Sequence, residues 1–324
     1  MGKSKIEWCD RTWSPVTGCT KVSPGCQNCY AERMSKRFGE KWGLPKDDPF
    51  KVTVHHDRLD QPLHWTKPSK IFVCSMADLF HDDVSFNFIH EIWDIMKACP
   101  QHTFLILTKR PKKMKETLER IYSLERLGWA KGFWNHVWLG VTAENQEQAD
   151  KRIPILLQIP AAKRFVSVEP MLGTVNLNRY IMPSQKAKGT LFNAPIELSG
   201  KDLADLVGFH SLDWIICGGE SGPGARPVHP DWVRSLRDQC KMSGTAFLFK
   251  QWGEWAQVGE CGNESDDAEF YNKHNTQRIN HNGGMGYHGA GSIYVQHIGK
   301  KKAGRLLDGQ LWDEYPGCES NNDL

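Results

Sequence analysis

No apolar run in this sequence approaches the ~18 residues that a membrane-spanning helix requires, so no such helix is expected. Charge of one sign is not in excess either. Lys and Arg number 41 against 38 Asp and Glu, a net charge of +3. That balance does not argue for a nucleic-acid coat protein and leaves a local basic groove open. The opening residues carry no apolar stretch of the signal-peptide kind. The ten cysteines therefore read as reduced thiols of a cytoplasmic protein rather than a disulfide framework. A nucleotide-binding glycine loop is missing as well. Gly218-Gly-Glu-Ser-Gly-Pro-Gly224 does not fit the dinucleotide fingerprint, and no phosphate-binding lysine follows it. The histidines His55, His56, His281 and His288 lack metal-ligand spacing and read as surface or structural. There is no internal repeat and no low-complexity tract.

What the sequence does hold, near its start, is Thr17-Gly-Cys-Thr-Lys-Val-Ser-Pro-Gly-Cys-Gln-Asn-Cys-Tyr30. Cys19, Cys26 and Cys29 lie in a C-x6-C-x2-C pattern, with Gly18, Pro24 and Gly25 bending the loop. Three thiolates on one short loop can converge as ligands. Zinc in a structural site takes four closed ligands, which Cys9 or a distant histidine would have to complete. An iron–sulfur cluster held by three cysteines instead keeps one iron open. Three unrelated buried thiols are the plain alternative.

The rest of the chain alternates compact apolar runs with amphipathic stretches. Strands are expected at 6–13, 71–76, 103–109, 137–142, 164–170, 214–220 and 245–251. Helices are expected at 30–38, 85–98, 111–127, 145–157 and 230–242. Buried strands alternating with helices predict an α/β fold with a parallel sheet. The expected architecture is a partial or closed (β/α) TIM-like barrel of about six to seven parallel strands with a small C-terminal appendage. The barrel would occupy 1–255, with an insertion at about 172–211 holding a basic segment at 186–189 and a short helix at 201–207. The appendage, of short strands and turns, would occupy 256–324.

Each expected strand after the first ends in polar residues. These are Ser75 and Asp78; Thr108, Lys109 and Arg110; Thr142 and Glu144; Ser167 and Glu169; Glu220 with Arg226 beyond it; and Lys250. Parallel strands put such ends on one rim, where (β/α) barrels carry their sites. Singly, each has a plainer reading. Asp78 and Glu144 can cap helices, Lys109 and Arg110 can be solvated, and Glu169 can turn the chain before Pro170. The tryptophans read mostly as core.

Taken together, the landmarks Trp13-Ser-Pro-Val-Thr-Gly-Cys-Thr20, Gly25-Cys-Gln-Asn-Cys-Tyr30, Ser75-Met-Ala-Asp-Leu-Phe80, Leu107-Thr-Lys-Arg110, Ser167-Val-Glu-Pro170, Gly218-Gly-Glu-Ser-Gly222 and Phe249-Lys-Gln-Trp-Gly253 resemble the radical S-adenosylmethionine superfamily. More narrowly, they resemble its phage-associated branch, whose members are named by phage gene-product numbers. Asp78 and Thr108-Lys109 are also similar to strand endings of spore photoproduct lyase. The superfamily's usual loop is C-x3-C-x2-C, so the first interval here is three residues longer.

The resemblance implies an enzyme in which Cys19, Cys26 and Cys29 hold a [4Fe–4S] cluster that, with S-adenosyl-L-methionine, generates a deoxyadenosyl radical. Ser75 and Asp78 would take the cofactor's amino group, and Lys109, beside Thr108, its carboxylate. Thr142 and Ser167 would contact ribose or substrate, and Glu169, Glu220 and Arg226 would act on the substrate side. An electron donor of the flavodoxin or ferredoxin kind is implied, and DNA, RNA or a three-Cys-motif partner protein are the candidate partners. Tyr30, Cys74 and Cys217 are candidate hydrogen-atom donors. The rival class is a non-catalytic, zinc- or cluster-structured interaction module of phage or mobile-element origin.

Overall fold

A computed structural model describes residues 4, 6–125, 135–181, 211–260, 276–282 and 291–317. The basic segment at 186–189, the helix at 201–207, Trp134 and His288 lie outside these residues.

The strands of the main sheet are β1 (Arg11–Trp13), β4 (Lys70–Val73), β5 (Thr103–Thr108), β6 (Val137–Thr142), β7 (Lys163–Val168), β8 (Trp214–Gly218) and β9 (Ala246–Gln251). Between the first two lies a ribbon of β2 (Val16–Thr17) and β3 (Thr53–Val54). The seven strands form a parallel sheet in the order β1-β4-β5-β6-β7-β8-β9. Omitting the side ribbon, that is the order of the chain. Strands that follow one another in this order without reversal have the winding of a (β/α) barrel rather than of a doubly wound sheet, and among the described residues β1 and β9 end the order.

The chain divides into two compact units, Met1–Thr142 with Asp150–Val166, and Ala143–Ala149 with Ser167–Leu324. In the first, β1 pairs with β4 from Arg11↔Ile71 to Trp13↔Val73, β4 with β5, and β5 with β6 from Phe104↔Val137 onward. Helix α1 spans Tyr30–Phe38, α2 Phe86–Ala98, α3 Pro111–Glu125 and α4 Gln146–Leu157. Helix α2 forms because Phe88, Ile89, Ile92, Trp93 and Met96 recur on one face and bury together. Its start is fixed by Ser85, whose hydroxyl accepts from the Phe88 amide at 3.3 Å. Trp13 is fully buried 5.9 Å from the Phe104 ring, and its indole N–H donates to the Arg58 carbonyl at 2.8 Å. Gly140 on β6 leaves room for Phe165, since a Cβ there would stand 2.5 Å from that ring.

In the second unit, β8 pairs with β9 from Trp214↔Ala246, with a register shift at Cys217/Gly218. Helix α5 (Pro230–Ser243) opens on a proline, takes a cap from His229 Nδ1 to the Asp231 amide, and stops at Gly244 in the left-handed region. Beyond β9, β10 (Trp255–Glu260), β11 (Thr276–Ile279) and β12 (Ile293–His297) make an antiparallel sheet in the order β10-β12-β11. Ala225, Trp255, Ile279, Ile293 and Val295 form its core. The chain then returns to β9. The Phe249 amide donates to the Trp312 carbonyl at 2.9 Å, and the Glu314 amide to the Phe247 carbonyl at 3.2 Å. That antiparallel bridge, Leu248↔Asp313, occupies backbone groups that an edge strand otherwise exposes.

Candidate functional site

The cysteine loop leaves the β2–β3 ribbon and is tied down at its first turn. The Gly18 amide donates to the Met76 carbonyl at 3.1 Å, just past β4, and the Cys19 amide to the Phe50 carbonyl at 3.2 Å. Pro24–Cys26 make a single 3-10 turn, and Cys29 immediately precedes α1. Lys21 reaches across the loop to the Glu32 carboxylate at 3.2 Å and the Gln27 carbonyl at 3.4 Å. Cys19, Cys26 and Cys29 are all free and partly buried.

Directly beside the loop, Asp78 is buried and accepts four hydrogen bonds. One carboxylate oxygen takes the Phe80 amide at 3.0 Å and the Thr108 hydroxyl at 2.7 Å; the other takes the Lys109 amide and Arg110 Nη1, both at 3.1 Å. Arg110 Nη1 also lies 3.4 Å from Cys19 Sγ, and Nη2 donates to the Thr20 carbonyl at 3.1 Å and the Thr20 hydroxyl oxygen at 2.8 Å. That hydroxyl also meets His81 Nε2 at 2.8 Å. His81 Nδ1 accepts the Asp83 amide, so the ring proton sits on Nε2 and is donated to Thr20. Burial pushes the Cys19 thiol up, the Asp78 charge adds to this, and the Arg110 guanidinium opposes both.

Of the remaining sequence-predicted residues in this unit, Ser75 is half-buried in the turn after β4. Lys109 enters the cluster by its backbone alone. Thr142 is buried at the end of β6, its carbonyl accepting from Arg152 Nη1 at 2.8 Å. Cys74 is buried, and loss of solvent pushes its thiol up to about 12.

In the second unit, Ser167 is buried and its carbonyl accepts from the Ala143 amide. Two ion pairs follow. Lys250 Nζ meets Glu169 Oε1 at 2.7 Å. Glu220, nearly buried, receives the Arg226 amide and Nε at 2.8 Å on one oxygen and Nη2 at 2.6 Å on the other. Cys217 is buried with its thiol 3.6 Å from the Met171 sulfur, a packing position. Tyr30 is exposed.

The structure thus brings Cys19, Asp78, Thr108 and the Lys109 backbone together, keeps Cys26 and Cys29 on the same loop as Cys19, and gives Glu169 and Glu220 separate cationic partners. Three participants join the cluster without having been assigned to it from the sequence: Thr20 and Arg110, which lie in the landmark stretches, and His81. Nothing in the sequence pairs Arg110 with Cys19, 91 positions away.

Three thiols, none in a disulfide, make up the donor number that a three-cysteine cluster requires. Among the described residues, no three or more His, Cys, Asp or Glu side chains are grouped to hold a metal ion. Three cysteine thiols are the donor type of an iron–sulfur cluster and one ligand fewer than a closed structural zinc site takes.

The family described as a protein of unknown function (DUF5131) matches residues 3–316 of the chain. No curated protein matches it. The chain is similar to solved structures of spore photoproduct lyase. The complex with dinucleoside spore photoproduct is 11% identical with a TM-score of 0.40, over 91% of this chain and 70% of that one. A single-site variant is 10% identical with a TM-score of 0.45, over 77% and 78%. A variant with bound AdoMet and dinucleoside spore photoproduct is 11% identical with a TM-score of 0.37, over 88% and 68%. No helix among the described residues is long and apolar enough to cross a membrane.

Proposed function

The chain belongs to that family of unknown function, and we propose that it is a radical S-adenosylmethionine-type enzyme in which Cys19, Cys26 and Cys29 hold a [4Fe–4S] cluster. The observation that carries the reading is the three-thiol loop, anchored beside the C-terminal end of β4 and tied by Arg110 to the end of β5. When bound, such a cluster supplies single-electron reduction of S-adenosylmethionine, hence radical chemistry.

The chain's own residues bind and orient. The Ser75 hydroxyl is offered to the cofactor's amino group and the Lys109 ammonium to its carboxylate. Thr142 and Ser167 face ribose or substrate in this reading. Glu220, held by three donors from Arg226, keeps a fixed orientation toward a substrate, and Glu169 is held by the Lys250 ammonium, which donates to its Oε1. Residues 1–255 are assigned to the body that carries the site and 256–324 to an appendage. An external one-electron donor of the flavodoxin or ferredoxin kind completes the scheme. A nucleic-acid substrate is supported by the basic start of α3, Lys112, Lys113 and Lys115, with Lys112 exposed; salt-independent or absent DNA and RNA binding removes that part.

The test is anaerobic. After reconstitution with iron and sulfide, reduction, and addition of S-adenosylmethionine, about four irons per chain and formation of 5′-deoxyadenosine are expected, both lost in Cys26→Ala. Zinc in place of iron, or a cluster that never cleaves the cofactor, overturns the reading in favour of a metal-structured interaction module.

A further inference from the structure

The geometry points to Arg110, held by Asp78, as a positioning residue for Cys19, and to Asp78 as the anchor of that brace rather than a cofactor ligand; the inference rests on the proposed cluster. An ionised carboxylate offers about four lone-pair sites, and Asp78 fills that number with protein donors. An incoming ammonium group would have to displace one of them. The pair is enclosed, with Arg110 and Asp78 side chains only 11% and 8% exposed.

Arg110 uses its fork to join three segments: the end of β4 through Asp78, its own position between β5 and α3, and the loop through Cys19 and Thr20. His81 holds the Thr20 hydroxyl oxygen from another side. Among the described residues no comparable fork reaches the other two thiols: Cys26 has a local approach to the Ser23 hydroxyl at 3.9 Å, and Cys29 ends the loop at the α1 N-terminus. Arg110 thus ties Cys19 to the ends of β4 and β5, whereas Cys26 and Cys29 are placed by the turn and helix of the loop itself. A lysine at 110 keeps the charge but has no planar fork to reach Cys19, Asp78 and Thr20 at once. An N–H directed at a ligating sulfur also stabilises the reduced, more negative cluster.

Three measurements on the full chain test this in the wild type, Arg110→Met, Arg110→Lys and Asp78→Asn: amide hydrogen exchange over 18–29 without iron, iron bound on reconstitution, and the midpoint potential of the reconstituted cluster. The expected result is exchange at the Gly18 and Cys19 amides at least tenfold faster in all three variants, with protection of β5 and β6 unchanged. Iron uptake slows, and in Arg110→Met the potential moves negative. Unchanged exchange with wild-type potential in Arg110→Met overturns the brace, whatever iron does. Failure of the wild type itself to bind iron overturns the cluster reading, while the exchange result still decides whether Arg110 orders the loop. If Asp78→Asn retains wild-type exchange and potential but loses S-adenosylmethionine binding, Asp78 is a cofactor ligand and the assignment fails.

Discussion

Gly18 stands immediately before the first loop cysteine with φ of +83°, in the left-handed region, and a Cβ there would lie 2.2 Å from the Lys51 carbonyl oxygen. Conformation and space both demand glycine, because that contact is with backbone, which cannot rotate away. Gly18→Ala is expected to destabilise the first unit by at least about 2 kcal/mol and to lower iron uptake, read by chemical denaturation and by iron analysis of the reconstituted protein. Wild-type stability with full iron would show that the loop relocates freely. At the same scale, Asp78 and Arg110 explain why strand-end chemistry is only half legible. Their residue types and places at the ends of β4 and β5 stand in the sequence, whereas the partner of each lies about 30 to 90 residues away in the chain.

Among the elements, helices were the most legible. The apolar spacing of 85–98 describes α2 closely because Phe88, Ile89, Ile92, Trp93 and Met96 all turn to one face. Its cap is local too. Ser85→Ala is expected to cost about 1 kcal/mol and to lower the melting temperature by a few degrees with no effect on metal content; a loss of iron instead would mean that α2 anchors the loop. The first strand was less legible. An aromatic, partly alternating stretch predicted 6–13, yet β1 is only Arg11–Trp13. The Cys9 amide turns back to the Ile6 carbonyl at 3.3 Å, and the Ile6 amide donates to Ser4 Oγ. A short turn and a short strand share alternating composition, so periodicity does not separate them. The return of 304–314 to β9 was equally hidden, because an edge pairing consists of backbone bonds that carry no side-chain signature.

For the molecule as a whole, acid should be a denaturant from an unusually early point. Burial holds His55, His102 and His229 below the ordinary imidazole value. Above that value, about 6.5, the three are neutral whether the chain is folded or not, and their contribution is fully present. As pH falls through it, the unfolded chain takes up protons that the folded one refuses, and stability drops until the folded values are passed. The denaturation midpoint is therefore expected to fall between pH 7 and 5, and less steeply in His229→Gln, provided that variant folds. A flat profile over that interval would mean that the three rings are accessible to protons in the native state.

The amino-acid sequence by itself determined the α/β class, the order of strands and helices, and the three-cysteine loop with polar residues at the strand ends, because each depends on periodicity or spacing within a few residues. Only the tertiary structure decided that 312–314 return to pair with β9, that Asp78 is filled by its neighbours, and that Arg110 rather than Lys109 reaches the loop. Those outcomes depend on which distant groups share a few ångströms once the sheet has formed, and hydrogen-bond capacity there is settled by neighbours in space.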